Sequence, residues 1–303
     1  MRTSEFPYYD LPFEEFNPAQ EAVVPYLTDD VNLVVAFETA AGKSALAECA
    51  FAYHLSVDPE CKVVYVSPFR SLSSEKFEEW GRSSVFGQHL LLSSSESVPD
   101  LEEYESARFI VITTESFDSK TRSDAHLLWL KKVSCIVFDE AHLLGDKSRG
   151  SSLESAMMRI ANISPHARIF LLSGTLDNSV EVAKWVKSLN GKVTRHVRSL
   201  WRPCELVYNL HSFEDVYSKY DNMVKEVGSL IGRNLGEKVL VFVHSKKVGE
   251  MVVKELRGKG IRAGFHNAAL SPKKRKELEN TFSSDLGLDV LVSTSTLSSG
   301  VNL

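Results

Sequence analysis

The stretch Asn32-Leu33-Val34-Val35-Ala36-Phe37-Glu38-Thr39-Ala40-Ala41-Gly42-Lys43-Ser44 decides the fold of this chain. Its first six residues form an almost unbroken apolar run, which is typical of a strand buried on both faces. A tight loop containing Gly42 follows, and the segment Lys43–Leu55 has the composition of a helix. Strand, loop and helix in this order predict a parallel α/β sheet.

The same alternation of apolar runs and helical patterns continues along the chain. The runs that predict further buried strands in the first part are Lys62–Ser67, Phe109–Thr113, Val133–Phe138 and Arg168–Ser173. The helical patterns that accompany them are Ser71–Trp80, Ser152–Ile163 and Ser179–Leu189. After an interruption across residues 191–212, the runs resume at Lys238–Val243, Ile261–Phe265 and Asp289–Ser293. We therefore predict an α/β protein with two doubly wound parallel-sheet domains, residues 1–197 and 198–303, joined near residues 196–205.

The composition is that of an ordinary globular protein, with 43% hydrophobic and 25% charged residues in a chain of 303. No apolar run approaches the ~18 residues of a membrane-spanning helix, and residues 1–10 lack the basic start and apolar core of a secretion signal. We therefore expect no membrane partner and a cytoplasmic or other intracellular location. The net charge of -5 excludes a globally basic surface, so any contact with nucleic acid must use local positive groups.

The loop Glu38–Ser44 has the arrangement of a phosphate-binding loop. Its backbone amides and the N-terminus of the next helix can surround phosphate groups. Lys43 would reach the β- and γ-phosphates of ATP, and the Ser44 hydroxyl would bind Mg²⁺. Phe37 takes the place of the first glycine of the general pattern. The predicted ATP contacts of the loop are Thr39, Ala40, Ala41, Gly42, Lys43 and Ser44.

A pair of acidic residues, Asp139 and Glu140, directly follows the predicted strand Val133–Phe138. A carboxylate at the carboxyl end of a strand faces the crevice where open α/β sheets bind ligands. We expect Asp139 to hold Mg²⁺, through water, and Glu140 to orient and deprotonate the attacking water. Phosphoryl transfer mainly needs positioning and charge neutralisation. The sequence therefore predicts an ATP-hydrolysing site with Lys43, Asp139 and Glu140 as its catalytic residues.

With further motifs in the same order, the chain resembles the superfamily 2 helicases of the superkiller-like branch. The resemblance is strongest to archaeal DNA repair helicases related to the helicase domain of DNA polymerase theta, and it covers nearly the whole chain. The segments that carry it, besides the phosphate loop, are Phe16–Gln20, Ser67–Leu72, Thr113–Glu115, Val133–Leu144 with Arg149-Gly150, Ser173-Gly174-Thr175, Trp201-Arg202-Pro203, Phe265–Leu270, Val292–Leu297 and Gly300–Leu303. The resemblance implies two RecA-like domains, the second incomplete, with ATP bound in the cleft between them.

The resemblance also implies roles for residues outside the loop. Gln20 would read the adenine base, and Gly300 and Asn302 would contribute to ATP binding. Ser173, Gly174 and Thr175, with His142, would couple hydrolysis to strand movement.

Nucleic acid would lie across both domains, and the resemblance implies single-stranded or branched nucleic acid, with DNA favoured over RNA. The implied contacts are Arg70, Thr113 and Thr114 in the first domain and His244, Ser245, Thr294 and Thr296 in the second. Threonines at strand ends also have a plain structural explanation, which is their β-propensity.

Three features depart from the family pattern. Gly174 replaces an alanine, and the backbone freedom of glycine would weaken coupling. Asn267 and Ala269 replace the usual histidine and glycine. The chain ends at Leu303, before the motif that carries the family's γ-phosphate-binding arginines, and such arginines contribute ~10³–10⁵ in rate. We therefore expect the isolated chain to bind ATP but hydrolyse it slowly, with a companion segment completing the second motor domain.

Three functions remain open from the sequence. The first is an ATP-dependent DNA helicase or translocase of the DEAH-box type, moving 3′ to 5′ in repair, recombination or replication. The second is an RNA helicase of the same branch. The third is an ATP-binding assembly module that does not unwind nucleic acid.

Overall fold

The computed structural model describes residues 1–174, 176–213, 215–233 and 238–297. The chain divides into two compact units, Met1–Glu205 and Leu206–Leu303, and each is described by itself. Within the described residues, no helix combines the length and the apolar character that a membrane crossing requires.

The described residues of the first unit form a parallel sheet of seven strands in the order β3-β4-β2-β5-β6-β1-β7. The strands are β1 (Asn32–Phe37), β2 (Lys62–Ser67), β3 (Leu90–Ser93), β4 (Phe109–Thr113), β5 (Val133–Phe138), β6 (Arg168–Ser173) and β7 (Thr194–Ser199). Every residue of β1, β2, β4 and β6 is buried, because both faces of the sheet are covered.

Among the described residues of this unit there are eight α-helices: the first precedes β1, and the other seven lie between strands. They are α1 (Pro18–Glu21), α2 (Lys43–Val57), α3 (Arg70–Gly81), α4 (Leu101–Ser106), α5 (Thr114–Thr121), α6 (Leu127–Leu130), α7 (Gly150–Ile163) and α8 (Ser179–Asn190). They divide between two apolar layers: Val34 and Ala36 of β1 point into the layer with α7 and α8, and Leu33 and Val35 point into the layer with α2. The alternation along one strand shows why an apolar run of this kind lies between two helix layers.

The second unit has a parallel sheet of three strands among its described residues, in the order β8-β10-β9. The elements are α9 (Val216–Arg233), β8 (Val239–Phe242), α10 (Lys246–Gly258), β9 (Ala263–His266), α11 (Pro272–Ser283) and β10 (Val290–Ser293). Valines of β8 and β10 pack with α9 and α10 on one face, and Leu291 packs with Phe282 of α11 on the other. The predicted α/β class with two parallel sheets is confirmed.

Two strands of the first sheet are absent from the sequence prediction. The segment of β3 was assigned no strand, and β7 lies inside the predicted interruption at residues 191–212. The edge strand β7 reads Thr-Arg-His-Val-Arg-Ser and is only partly buried, so it lacks the apolar run that identified the central strands. The predicted domain boundary at 197/198 falls within β7, and the first compact unit extends to Glu205.

A buried arginine fastens the segment that precedes β1. Arg168 at the start of β6 is 2% exposed and donates to three backbone carbonyls: Nε to Val31 (3.0 Å), Nη1 to Leu27 (2.7 Å) and Nη2 to Tyr26 (2.8 Å). Its guanidinium also lies 4.7 Å from the centre of the Phe170 ring. Without these donors, the three carbonyl groups of this loop would lack hydrogen-bond partners inside the protein.

We predict that Arg168→Met lowers the free energy of unfolding by about 3–5 kcal/mol, because each buried acceptor without a donor costs about 1–3 kcal/mol. Urea denaturation measures the change. The matched control is Arg195→Met, since Arg195 is exposed on β7 and that substitution should change stability by less than about 1 kcal/mol. Equal effects of the two substitutions would contradict the anchoring role.

Candidate functional site

The predicted motifs converge because parallel strands bring their carboxyl ends to one edge of the sheet. In the pairing of β1 with β6, Ala36 lies beside Ser173. In the pairing of β5 with β6, Phe138 lies beside Leu171. The loop after β1, the acidic pair after β5 and the Ser173 segment therefore occupy the same edge, as ligand-binding groups of open α/β sheets do.

The phosphate loop is held in a conformation that needs small residues. Gly42 has φ 78° and caps α2 at its N-terminus, and Ala40 also has a positive φ of 64°. A Cβ atom on Gly42 would lie 2.3 Å from Nε2 of Gln20. Glycine is therefore required at position 42 both by the backbone conformation and by the close approach of Gln20.

Lys43 turns back over the loop that precedes it. Its Nζ donates to the carbonyl oxygens of Phe37 and Glu38, each at 3.1 Å. Burial lowers the pKa of the Lys43 ammonium, and the nearby Glu140, Asp139 and Glu38 carboxylates oppose that change. A desolvated cation surrounded by oxygen atoms is the arrangement that a phosphate group can enter by exchanging acceptors.

Gln20, the predicted adenine reader, lies under the loop and is buried. Its Nε2 donates to the Gly42 carbonyl (3.1 Å), and its Oε1 accepts from the Asn17 backbone N–H (3.0 Å). The side chain thus connects α1 to the phosphate loop. Contact with a base stays a prediction; a glutamine amide has two N–H donors and two oxygen lone pairs, so these two bonds do not use its full capacity.

Asp139 is held from two sides at the end of β5. Its Oδ1 accepts the Glu140 backbone N–H at 2.9 Å, and its Oδ2 accepts the Tyr65 hydroxyl. Burial raises the pKa of the Asp139 carboxyl, and the Glu140 charge raises it further. A nearby cation would offset both effects. The Asp139 carboxylate and the Ser44 hydroxyl both carry oxygen donors, the ligand type that Mg²⁺ prefers, so these two residues are the candidates for holding it.

Tyr65 is a residue of this site that the sequence analysis missed. Its ring on β2 is fully buried and packs edge-on against Trp80 with centroids 4.9 Å apart. The Trp80 indole N–H donates to Glu48 of α2 at 2.9 Å. Asp139 is therefore tied through Tyr65 and Trp80 to the helix that begins at the phosphate loop. A tyrosine within an aliphatic strand was the available signal, because a buried hydroxyl needs a partner.

Glu140 occupies a strained position beside Asp139. It has φ 51° and ψ 46°, a left-handed conformation that is uncommon for a residue with a side chain. Its Oε2 lies 3.2 Å from Nδ1 of His142. The hydrogen bond to His142 lowers the pKa of Glu140, and the same bond raises the pKa of His142. The strain fixes the direction of a charged carboxylate at the ligand-binding edge.

His142 also approaches the third predicted motif. Its Nδ1 lies 3.4 Å from the Ser173 hydroxyl, so the acidic pair and the predicted coupling segment are in contact. Gly174 lies close to the phosphate loop: a Cβ atom there would be 3.5 Å from Thr39 Oγ1 and 3.8 Å from Lys43 Nζ. These are ordinary contact distances. The third residue of this motif, Thr175, lies outside the described residues.

The predicted nucleic-acid contacts of the first unit lie together at the same edge. Ser67 pairs with Thr113 across β2 and β4, and Arg70 is exposed at the start of α3, paired with Glu96. The Thr113 and Thr114 side chains are buried; their hydroxyls donate to Ser116 Oγ (3.0 Å) and the Ser67 carbonyl (3.5 Å). Arg70 is thus the accessible side chain among these three residues.

The predicted contacts of the second unit also share one edge. His244 and Ser245 follow β8, and Thr294 and Thr296 follow the neighbouring β10. His244 is exposed and stacks on Tyr220 at 6.3 Å, whereas the Thr296 hydroxyl bonds to Nδ1 of the buried His266 at 2.8 Å. The Ser245 hydroxyl caps α10. The predicted ATP contacts Gly300 and Asn302 lie outside the described residues.

Comparison with known protein families identifies the class. The model of the DEAD/DEAH box helicase family matches residues 17–183, and that of the helicase conserved C-terminal domain matches residues 218–303. The first match covers more than half of the chain and contains the phosphate loop and the acidic pair. The chain belongs to the DEAD/DEAH box helicase family, and the predicted helicase resemblance is confirmed.

Individual relatives are more specific. The chain is 30% identical to the ATP-dependent DNA helicase Hel308 of Thermoplasma volcanium over 308 aligned positions, which cover 90% of this chain and 43% of that protein. It is also 30% identical to Hel308 of Pyrococcus abyssi, with 95% of this chain and 44% of that protein covered. The chain therefore spans less than half the length of these relatives.

A solved structure supports the fold. The helicase Lhr of Mycobacterium smegmatis, determined bound to ssDNA and AMP-PNP, matches this chain with a TM-score of 0.67 at 20% identity. The match covers 94% of this chain and 40% of that one. Because this identity is low, the likeness establishes the fold alone.

We predict that Tyr65→Phe weakens the Mg²⁺-dependent part of nucleotide binding by about 10-fold, because loss of a ligand's outer hydrogen-bond partner typically costs 10–100-fold in metal affinity. Titration of a fluorescent ADP analogue with and without Mg²⁺ measures this. The matched control is Tyr104→Phe, which removes a buried hydroxyl bonded to Ser93, away from the acidic pair. If both variants kept the parent's Mg²⁺ dependence, Tyr65 would have no role in holding Asp139.

We predict that Gly174→Ala stabilises the chain by about 0.4–1 kcal/mol, because alanine reduces the freedom of the unfolded chain at a position that accepts a side chain. A Cβ atom on Gly174 would make only ordinary contacts, which is consistent with a stabilising substitution. Urea denaturation measures the change. The control is Gly145→Ala, since a Cβ atom on Gly145 would have no neighbouring atom within 4 Å. Destabilisation by more than about 1 kcal/mol would show that glycine is structurally required at position 174.

Proposed function

We propose that this chain is the motor core of an ATP-dependent DNA helicase, binding ATP at Glu38–Ser44 and using its hydrolysis to move along single-stranded DNA. The observation that carries the proposal is the meeting of Lys43, Asp139, Glu140 and Ser173 at one edge of the first sheet. Their types and spacing suit phosphoryl transfer, which depends on positioned charge more than on covalent chemistry.

ATP binding would begin with an exchange of hydrogen-bond partners at Lys43. Its ammonium is bonded to two carbonyl oxygens, and the anionic oxygens of the β- and γ-phosphates would replace them. The carbonyl bonds already have a charged donor, but a phosphate oxygen also carries negative charge, so Coulomb attraction to the ammonium favours the exchange. The amides of the loop and of the first turn of α2 would surround the same groups.

Mg²⁺ would be held by the Ser44 hydroxyl and by Asp139, through water. The ion would neutralise charge that develops on the phosphate oxygens during transfer. Asp139 is fixed for this role by the Tyr65 hydroxyl and the Glu140 backbone N–H, which leave little freedom to its carboxylate.

Glu140 would act as the base toward the attacking water. Its lowered pKa keeps the carboxylate ionised, and its backbone conformation fixes its direction. His142 lies between Glu140 and Ser173, so a change at the γ-phosphate could reach the segment Ser173–Gly174. This path would link hydrolysis to movement of the strand-binding loops.

The DNA strand would contact the carboxyl edges of the two sheets. In the first unit, exposed Arg70 would bind a phosphate, and the loops after β2 and β4 lie side by side. In the second unit, His244 is exposed at the end of β8. DNA rather than RNA is supported by the relatives, which are DNA helicases by name. Phosphate contacts of this kind position a strand without reading its sequence.

We predict that the protein hydrolyses ATP faster in the presence of single-stranded DNA, and that Glu140→Gln lowers this rate by about 10²–10⁴ because a general base is lost. Nucleotide binding should survive Glu140→Gln and fail in Lys43→Ala. Phosphate release and fluorescent-nucleotide titration measure the two properties, and Glu181→Gln, an exposed position on α8, is the matched control.

Strand displacement completes the test. Unwinding of a DNA duplex with a 3′ overhang supports the helicase assignment. Stimulation by RNA and not by DNA would replace it with an RNA helicase. Nucleotide binding without turnover or unwinding would indicate an ATP-responsive binding module instead.

A further inference from the structure

The phosphate loop carries an ion pair that the proposed mechanism does not use. The carboxylate of Glu38, the first residue of the loop, pairs with the guanidinium of Arg202. The two side chains are 23% and 32% exposed, respectively, so the pair is partly removed from water, where charges interact more strongly than on an open surface.

The pairing of β7 with β1 places Arg202 beside the phosphate loop. Strand β7 pairs with β1 along its whole length, ending with Ser199 beside Phe37. The chain that leaves β7 therefore emerges next to the residue that precedes the loop. Trp201 packs against the apolar layer under α2, and its backbone N–H donates to Ser199 Oγ at 3.2 Å. Arg202 thus directly follows a packed tryptophan and the end of a paired strand.

Arg202 also lies near the other charged groups of the site. The Glu38 carbonyl accepts the Lys43 ammonium at 3.1 Å, while the Glu38 carboxylate holds Arg202. Burial is the main cause of the lowered pKa of Lys43, and the nearby positive charge of Arg202 adds a small contribution. A guanidinium in this place can form two parallel bonds to a phosphate, as arginine does wherever planar anions are recognised.

We infer that Arg202 is a nucleotide-binding residue, held at the mouth of the phosphate loop by Glu38 until the triphosphate displaces that carboxylate as its partner. The inference rests on the proposed function. It assigns the two members of the pair opposite effects: Arg202 attracts the phosphates, and Glu38 competes with them for Arg202 and repels them.

Substitutions of Arg202 and Glu38 should therefore change nucleotide affinity in opposite directions, which gives the test. Arg202→Gln should weaken binding of the non-hydrolysable analogue AMP-PNP by about 10-fold, the loss expected for one bond to a charged group. Glu38→Gln should tighten it several-fold. Arg202→Lys, which keeps the positive charge but loses the planar guanidinium that forms two parallel bonds, should give an intermediate affinity. The control is Arg198→Gln, an exposed arginine of β7 whose distance to Asp177 is 3.8 Å, which should bind as the parent does.

Thermal stability without nucleotide separates binding from structure. Both Glu38→Gln and Arg202→Gln break the same pair, so their effects on Tm should be alike while their effects on affinity differ in sign. Weaker binding in both variants would overturn the inference and leave the pair a structural contact. If Arg202→Gln proved too unstable to measure, the direction of the change in Glu38→Gln would decide by itself.

Failure of the proposed function has a different signature. In that case the parent protein would show no nucleotide binding that Lys43→Ala abolishes. Parent binding that depends on Lys43, together with Arg202→Gln and Glu38→Gln variants that bind as the Arg198→Gln control does, would sink the inference about Arg202 alone.

Discussion

The candidate site depends on the parallel pairing of β1 with β6 and β7. This pairing aligns three carboxyl ends at one edge: Ala36 lies beside Ser173, and Phe37 lies beside Ser199. Each of these strand ends leads into a loop with charged or polar groups, because the polar residues of a buried sheet are confined to its edges. A shift of one residue in either register would turn β1 over and move the start of the phosphate loop away from its partners.

The central strands were predictable because burial on both faces leaves a strong signature in the sequence. The observed bounds of β1, β2, β4, β5 and β6 are those that the apolar runs indicated. The edge strand β7 left no such signature, since each of its side chains is either partly buried or exposed and none is fully buried. Strand β7 forms because β1 offers it backbone hydrogen-bond partners. Those partners exist only in the assembled sheet, so the sequence of β7 alone does not reveal the strand.

The same distinction applies to the candidate site. Lys43, Asp139 and Glu140 stand in local motifs, so the sequence singles them out. Tyr65 and Arg202 act on residues that are far away in the chain: 74 positions separate Tyr65 from Asp139, and 164 separate Arg202 from Glu38. A tyrosine in an aliphatic strand and an arginine after an edge strand have many ordinary explanations. Only the sheet order, which places β2 beside β5 and β7 beside β1, identifies their partners.

Polar groups of the loop have hydrogen-bond partners inside the loop and in the segments around it. Lys43 Nζ bonds to the carbonyls of Phe37 and Glu38, Gln20 bonds to the Gly42 carbonyl, and Arg202 bonds to Glu38. A phosphate that enters must exchange these bonds, and exchange of hydrogen bonds one for one changes the free energy little. The gain comes from charge, because an anionic oxygen is a stronger acceptor for Lys43 than a carbonyl. For Arg202 the outgoing partner is itself a carboxylate, so the net gain is smaller and depends on the geometry of the guanidinium fork. The proposed loop would therefore bind through Lys43 first, with Arg202 adding discrimination for a ligand that presents a second anionic group at the start of the loop.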